Sequence, residues 1–363
     1  MKVKLEEVCE RDSSNLKQSD IIGMEGNYPI YGASGYIGNV NFYHQKNSYV
    51  AVVKDGAGIG RTTLHPAKSS VIGTMQYLVP KDNVIPEYLY YVVSHMHLEK
   101  YFTGATIPHI YFKDYKNEEF NLDSVDEQKQ IVNILGKCET IIKSRKRELK
   151  LLDDLIKARF VEMFGDWIKE GGRPLSELAT ITGGLTKNSK REAFNLKMPY
   201  LRVANVFFNR LDLNEIQEIG IRKEEIDKTL LQKGDLLFVE GNGSIEQIGR
   251  VAIWDGSINP ILHQNHLIKA RFSVGIIIPE FALFYFMSQE GRQQIISKSV
   301  STSGLNTLSV NKIGSLILPV PPIILQEQFA DFVHQVDKSK VVVQKALDET
   351  QILFNSLMQQ YFG

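Results

Sequence analysis

Arginine, lysine, asparagine and glutamine side chains held in turns offer the donor and acceptor pairs that match base edges in a nucleic-acid groove. This chain sets such residues beside short β-branched runs. Tyr49-Val50-Ala51-Val52-Val53 leads into Lys54-Asp55-Gly56-Ala57-Gly58, and Leu236-Leu237-Phe238-Val239 leads into Glu240-Gly241-Asn242-Gly243. Both read as a strand entering a tight turn. The candidate base-contacting residues in the N-terminal part are Lys54, Arg61, Thr62, Gln76 and His109. In the C-terminal part they are Arg202, Asn205, Asn242, Gln247, Arg250, Gln264, Asn265 and His266. Arg61 and Arg250 stand out, because each closes an Ile-Gly-Arg, at Ile59-Gly60-Arg61 and Ile248-Gly249-Arg250. Every one of these residues also has an ordinary reading as a surface or turn group. Thr106-Ile107-Pro108-His109-Ile110 and Gly304-Leu305-Asn306-Thr307-Leu308 read as loops whose polar groups face a ligand or cap the turn.

Other chemistry finds little support. Two cysteines, Cys9 and Cys138, make neither a disulfide framework nor a cysteine zinc site, which fits a reducing compartment. The eight histidines are scattered, with no His-Glu-x-x-His. There is no Gly-x-Ser-x-Gly elbow, and the glycine turns match neither a nucleotide-binding loop nor a dinucleotide fingerprint. An amino-methyltransferase needs an Asn/Asp-Pro-Pro-Tyr/Phe turn, and Pro319-Val320-Pro321-Pro322-Ile323 lacks both its polar and its aromatic residue. Nothing argues for a diffuse nuclease site of carboxylates and a lysine. No catalytic residue and no metal ligand is therefore assigned.

Composition bounds the partners. Apolar residues make up 43% and charged residues 23%, with 42 basic against 42 acidic side chains. A net charge of zero counts against a chain that coats itself in phosphates, unless its cations are clustered or a partner supplies the contacts. The charged start Met-Lys-Val-Lys-Leu-Glu-Glu is unlike a signal peptide, and no run of about 18 apolar residues occurs, so a cytoplasmic location is expected.

The elements that must position these turns occur twice. Asp126 to Phe164 and Leu325 to Phe362 align without a gap at an offset of 198, Gln128 and Gln130 matching Gln326 and Gln328. Both copies close on Phe-Gly, at Phe164-Gly165 and Phe362-Gly363. Ahead of them Leu5-Glu6-Glu7-Val8 resembles Leu175-Ser176-Glu177-Leu178, Pro29 resembles Pro199, and Ile85-Pro86-Glu87 recurs as Ile278-Pro279-Glu280. The offset climbs from 170 through 189 and 193 to 198, so the second module carries loop insertions, where recognition specificity tends to sit. The order is module, helix, module, helix.

Ser124 and Glu127 form a capping-box pattern that starts the first helix near Val125. Pro319 to Pro322 sets an extended entry to the second, and Gly165 and Gly363 stand where C-cap glycines belong. A three–four alternation picks out Leu135, Cys138, Ile142, Arg145, Leu149, Leu152, Ile156, Arg159 and Met163. Its match in the second helix is Val333, Val336, Lys340, Val343, Leu347, Thr350, Phe354, Leu357 and Tyr361. Such a stripe predicts a coiled-coil seam, with the two arginines lying along it and their heads in water. Connectivity predicts an antiparallel pair, each arm about 58 Å long for about 39 residues at about 1.5 Å each. The alternative is that each helix packs only on its own module. Lys143-Ser144-Arg145-Lys146-Arg147 reads as a solvated face or as a contact to phosphate or a partner's acidic surface.

Taken in order, the doubled Leu-x-Glu-Val/Leu, Gly-Arg turn, Ile-Pro-Glu and Glu-Gln-rich long helix resemble the specificity subunit of type I restriction–modification systems over nearly the full length. The entry Leu122-Asp123-Ser124-Val125-Asp126-Glu127 departs from the proline-rich entry of the second helix. The resemblance implies an α+β chain with two globular mixed α/β target-recognition domains, separated by two long antiparallel coiled-coil helices in a pseudo-twofold repeat. The expected domains are residues 1–123 and 166–322, and the expected spacer helices residues 124–165 and 323–363. It implies a non-catalytic subunit that reads a bipartite double-stranded DNA target, one half per domain, and docks two methyltransferase subunits. Restriction/translocase subunits are further expected partners. S-adenosylmethionine, ATP and magnesium are expected in those partners. A self-sufficient DNA-modifying enzyme and a purely structural coiled-coil scaffold are the alternatives.

Overall fold

The computed structural model describes residues 1–104, 108–302 and 304–363; Thr106 and Ile107, read above as part of a loop, lie outside the described residues. The chain divides into two compact units. Unit 1 is Met1–Arg147 with Val343–Gly363, and unit 2 is Glu148–Val342.

In unit 1, β1 (Lys2–Lys4), the one-turn helix α1 (Leu5–Val8) and β2 (Cys9–Ser13) come first. Then follow β3 (Tyr28–Gly32), β4 (Gly35–Val40), β5 (Tyr49–Val53), β6 (Thr62–His65), β7 (Ser70–Val71) and β8 (Met75–Pro80). Helices α2 (Pro86–His95) and α3 (Phe112–Tyr115) lead to β9 (Glu119–Asn121) and the long helix α4 (Val125–Glu170). Four strands form a sheet in the order β2-β8-β5-β6, and three more form β4-β3-β7, with β3 and β7 parallel. The central strand β5 is an unbroken apolar run, buried at every position, as a strand covered on both faces must be.

Unit 2 repeats this plan. It has β10 (Arg173–Pro174), α5 (Leu175–Leu178), β11 (Ala179–Gly183), β12 (Lys197–Leu201), β13 (Val206–Phe207), β14 (Arg210–Leu211) and β15 (Gln217–Gly220). After α6 (Ile226–Thr229) come β16 (Leu236–Val239), β17 (Gly241–Asn242), β18 (Val251–Ile253), β19 (Leu262–His263) and β20 (Leu267–Phe272). Helices α7 (Pro279–Met287) and α8 (Gln289–Lys298), strands β21 (Val300–Thr302) and β22 (Leu305–Thr307), α9 (Val310–Gly314) and β23 (Ile317–Leu318) precede α10 (Ile323–Phe362). The sheets β11-β20-β16-β18 and β15-β12-β19 reproduce those of unit 1, again with one parallel pair, β12 with β19. The sequence Gly304 to Leu308, expected as a loop, instead holds β22, the middle strand of the sheet β17-β22-β21. Pairing on both sides satisfies its backbone groups.

Ser124 and Glu127 cap α4 as expected. The Ser124 amide donates to the Glu127 carboxylate at 2.9 Å, and the Glu127 amide donates to Ser124 Oγ at 3.4 Å. Gly165 is not a C-cap: α4 continues to Glu170, and Gly171 has the left-handed φ of 95°. Trp167 and Ile168 pack on the core of unit 2, which holds the extra turn in helical form. Gln128 and Gln326, both fully buried, perform one task twice. Gln128 Oε1 accepts from the Ile85 amide at 3.0 Å while its Nε2 donates to the Asn83 and Asp123 carbonyls, each at 2.9 Å. Gln326 does the same with the Ile278 amide at 2.9 Å and the Ile276 and Pro321 carbonyls at 3.0 and 2.8 Å. Each glutamine thus ties the Ile-Pro-Glu entry of a short helix to the start of a long one.

Within each unit the two long helices meet. In unit 1, Ile131 and Leu135 of α4 share a core with Phe354, Leu357 and Met358 of α10. In unit 2, Ile156 and Phe160 share a core with Phe329 and Val333, and Lys340 pairs with Asp153 at 2.7 Å. Higher numbers on one helix face lower numbers on the other, so the pairing is antiparallel. Neither helix rests only on the module before it, since the end of α10 packs in unit 1 and the end of α4 in unit 2. Leu135, Cys138, Ile142, Ile156, Val333, Val336, Val343 and Leu347 are buried; Leu149, Leu152, Phe354 and Leu357 are half-buried. Towards the end of α4 the buried positions become Phe160 and Phe164 in place of Arg159 and Met163, because the helix there docks on an aromatic core. Arg159 lies over the Phe332 ring with its guanidinium on Glu162 at 2.7 Å.

Candidate nucleic-acid interface

Antiparallel register gathers the turn residues of unit 1 at one end of its larger sheet. Val53 faces Met75, Val52 faces Thr62 and Ser13 faces Gln76. Lys54, Arg61, Thr62 and Gln76 therefore lie where β5 ends and β6 and β8 begin. His109 joins them through backbone pairing, the Ile110 amide donating to the Lys54 carbonyl and the Gly56 amide to the Pro108 carbonyl, both at 3.0 Å. Its Nδ1 meets the Asp55 carboxylate.

Unit 2 uses the same sheet end. Val239 faces Leu267 and Phe238 faces Val251. The Val239 amide donates to the Arg250 carbonyl, the Glu240 amide to the His266 carbonyl and the Gln264 amide to the Leu201 carbonyl, each at 2.9 Å. Arg202, Asn242, Arg250, Gln264, Asn265 and His266 are thereby neighbours on adjoining loops, and Gln247 closes the short turn Ile245–Gln247 between Asn242 and Arg250.

The side chains differ in what they have left to offer. Asn205 was expected at an exposed turn but is 3% exposed. Its Oδ1 accepts from the Arg202 amide at 2.8 Å, and its Nδ2 donates to the Asp212 and Glu215 carbonyls at 2.8 and 3.0 Å. A turn buried under its own loop must satisfy its amides and carbonyls internally, and Asn205 is used for that. Gln76 is likewise 3% exposed, and its Oε1 accepts from Tyr115 Oη at 3.1 Å. Asn242 Oδ1 accepts from the Ser244 amide at 2.9 Å, shaping its own turn. His266 Nδ1 sits 2.7 Å from Glu240, and Arg202 pairs with Glu215 at 2.9 Å.

The repeated Gly-Arg has a structural cause. Gly60 and Gly249 both have left-handed φ, 79° and 61°. A Cβ on Gly60 would lie 2.5 Å from the Glu99 amide nitrogen, and one on Gly249 would lie 2.5 Å from Ile295 Cγ2. Only glycine fits either place. The arginines that follow brace equivalent loops: Arg61 Nη2 donates to the Ala33 carbonyl, and Arg250 Nη2 donates to the Val203 carbonyl at 3.3 Å. Arg61 remains exposed. Arg250 is half-buried, and burial holds its guanidinium below the ordinary pKa.

Two groups of residues escaped the sequence reading. The hairpin β13–β14 has no counterpart among the described residues of unit 1 and carries Phe207-Phe208-Asn209-Arg210. Arg210 and Arg250 lie over Phe207 at 4.3 and 5.1 Å, and Arg292 over Phe208 at 5.0 Å, an arginine–aromatic cluster beside the other unit 2 candidates. In unit 1, a cleft of about 510 Å³ is lined by Arg11, Lys54, Gln76, His109, Tyr111, Lys113 and Lys116, among others. Adjacent aromatics before an arginine were the available signal for the hairpin. The cations of the cleft come from three separate stretches and gave none. No group of metal-binding side chains occurs among the described residues, and none of their helices is long and apolar enough to cross a membrane.

Comparison with known proteins matches residues 1–152 and 172–350 to the family described as the type I restriction modification DNA specificity domain. The EcoKI specificity subunit of Escherichia coli K12 is 29% identical over 189 residues, 51% of this chain and 39% of that protein. The putative MjaX specificity subunit of Methanocaldococcus jannaschii is 27% identical over 188 residues, again 51% of this chain and 43% of that protein. The chain thus spans less than half the length of these curated relatives. In fold it is similar to the type I S subunit from M. genitalium, with a TM-score of 0.61 at 15% identity over 100% of this chain and 96% of that one.

Proposed function

This chain belongs to the type I restriction modification DNA specificity family, and on that premise we propose that it is the DNA-reading specificity subunit of a type I restriction–modification complex. Each unit reads one half of a bipartite duplex target. The readers are residues 1–123 and 166–322, and α4 and α10 set the gap between the half-sites and dock two methyltransferase subunits. The chain itself is non-catalytic. Methyl transfer with S-adenosylmethionine belongs to the methyltransferase subunits, and ATP- and magnesium-dependent translocation to restriction subunits.

The observation that supports this most is the repetition of one strand order with the polar turns at the same sheet end in both units. A duplicated reader accounts for it, because two equivalent ends give two contacts of one kind, and loop differences between them give two different sequences. Zero net charge is accommodated when partners close around the duplex and supply phosphate contacts.

The test is to purify the chain with its methyltransferase and map the methylated sites across a genome. A motif with two specified halves about a fixed gap is expected. Lengthening α4 and α10 together by one heptad is expected to widen the gap or abolish methylation; an unchanged motif refutes the spacer role. Methyl transfer by the purified chain alone would overturn the non-catalytic assignment.

A further inference from the structure

The basic cleft of unit 1 lies between β2 and α3, and no carboxylate lines it among the described residues. Lys116 is neutralised by Glu6 at 2.7 Å. Arg11, Lys54 and Lys113 have no ion pair among the described residues. Arg11 is held by Ser13 Oγ at 2.9 Å, and Lys113 lies 5.1 Å from the centre of the Tyr111 ring. Three uncompensated cations around one concavity focus a positive potential in a chain whose overall charge is zero.

Most of the polar groups are also of one kind. Gln76 Oε1 is engaged by Tyr115, which leaves its Nε2 to donate at the cleft floor. Apart from His109, whose Nδ1 already meets Asp55, and Tyr111, whose hydroxyl both donates and accepts, every polar head left free is a donor. Base edges present donors and acceptors in mixture. A lining of donors suits an anion with several oxygens.

Unit 2 provides the control. The cleft of about 560 Å³ between β11 and α9, which includes the positions equivalent to Arg11, Lys113 and Lys116 but not that of Lys54, has no charged residue in its lining. By strand and helix register Arg11 is replaced by Ile181, Lys54 by Glu240, Lys113 by Asn311 and Lys116 by Gly314. The cations are therefore not required by the fold that both units share.

We propose that this cleft is a phosphate-ester site that seats backbone phosphates of the duplex beside the half-site read by unit 1. Unit 1 thereby carries at this cleft a salt-dependent share of the affinity that the uncharged cleft between β11 and α9 does not supply. The inference rests on the DNA-reading function proposed above.

The test uses the full chain in complex with its methyltransferase and the double variant Arg11→Gln/Lys113→Gln, both exposed positions. Duplex affinity is measured by fluorescence anisotropy across a potassium chloride series. Loss of two phosphate contacts is expected to reduce the slope of log K against log salt by about 2, at about 0.9 per contact, with the methylated motif unchanged. An unchanged slope overturns the proposal, and so does a changed motif in the unit 1 half, which would make these residues base readers. If the wild-type complex holds no duplex at any salt, the DNA-reading function fails instead. The cleft is then judged by whether thymidine monophosphate raises the melting temperature of the full chain and the double variant loses that shift. No shift in the wild type overturns the site, and a shift that the double variant loses assigns it to a free nucleotide and overturns the backbone reading.

Discussion

Units 1 and 2 share a strand order that includes the same parallel pair, a one-turn helix before the first sheet strand, and the same buried glutamine at the root of a long helix. They differ in where cations stand. Unit 1 lines the cleft between β2 and α3 with them, whereas unit 2 leaves its cleft between β11 and α9 uncharged and stacks arginines on the phenylalanines of an added hairpin. Everything that closes the fold is kept, and the groups free to meet a ligand are exchanged. A scaffold whose hydrogen bonds are satisfied internally lets surface chemistry vary without cost to folding.

The helix ends are unequal too, and this gives the largest expected effect. Phe164 and Phe362 occupy matching repeat positions, yet Phe164 is fully buried among Phe160, Phe281 and Phe329, while Phe362 is half-buried against Tyr88 and His95. Phe164→Ala should destabilise unit 2 by about 3–5 kcal/mol in denaturant unfolding, and Phe362→Ala should cost unit 1 distinctly less. Equal losses would break the distinction.

Next in size is acid sensitivity, which both units should share by different routes. His65 in unit 1 and His263 in unit 2 are buried, and burial holds each imidazole down to about 4. Between that value and the ordinary value of 6.5, the unfolded chain binds a proton that the folded chain refuses. Stability therefore rises with pH through this window and falls on acidification below about 6.5, by at most roughly 3 kcal/mol per histidine. Thermal unfolding of His65→Leu and His263→Leu from pH 7 to 4 should each show a shallower fall than wild type. A parallel fall would show that other groups control the acid response.

The smallest effects should be local to one half-site. Arg61→Ala and Arg250→Ala should weaken binding of duplexes by roughly 1–3 kcal/mol, each for one half only, if their guanidiniums meet bases. Competition between duplexes altered in one half at a time reads this out. Uniform losses on every sequence would mark both as phosphate or loop-bracing groups and would remove the base-reading distinction between the units at this position.

Much of the scaffold was legible because it is periodic or repeated. Three–four spacing and the capping box located α4 and α10, and the doubled Ile-Gly-Arg marked a turn that only glycine can make. What escaped depends on distance along the chain. The parallel pairing of β3 with β7 joins Ile30 to Ser70, and no local pattern announces it. Gly165 looked like a terminus until the half-buried Trp167 and Ile168 gave the helix a reason to continue. Asn205 and Gln76 had the right chemistry for a base edge, but burial turns Asn205 inward and makes Gln76 a floor. The cleft needed Arg11, Lys54 and Lys113 brought together by three separate elements, which residue type alone does not reveal.

Because α10 returns to unit 1, that unit is discontinuous in sequence, whereas unit 2 is a single uninterrupted stretch. During synthesis unit 2 has all its parts as soon as Val342 leaves the ribosome. Met1–Arg147 must wait, with the tyrosine-lined face of α2 uncovered, until Phe354 and Met358 have been added. The half made first is therefore the half completed last, and a nascent chain arrested before Val343 should expose apolar surface to chaperones from its N-terminal rather than its C-terminal part.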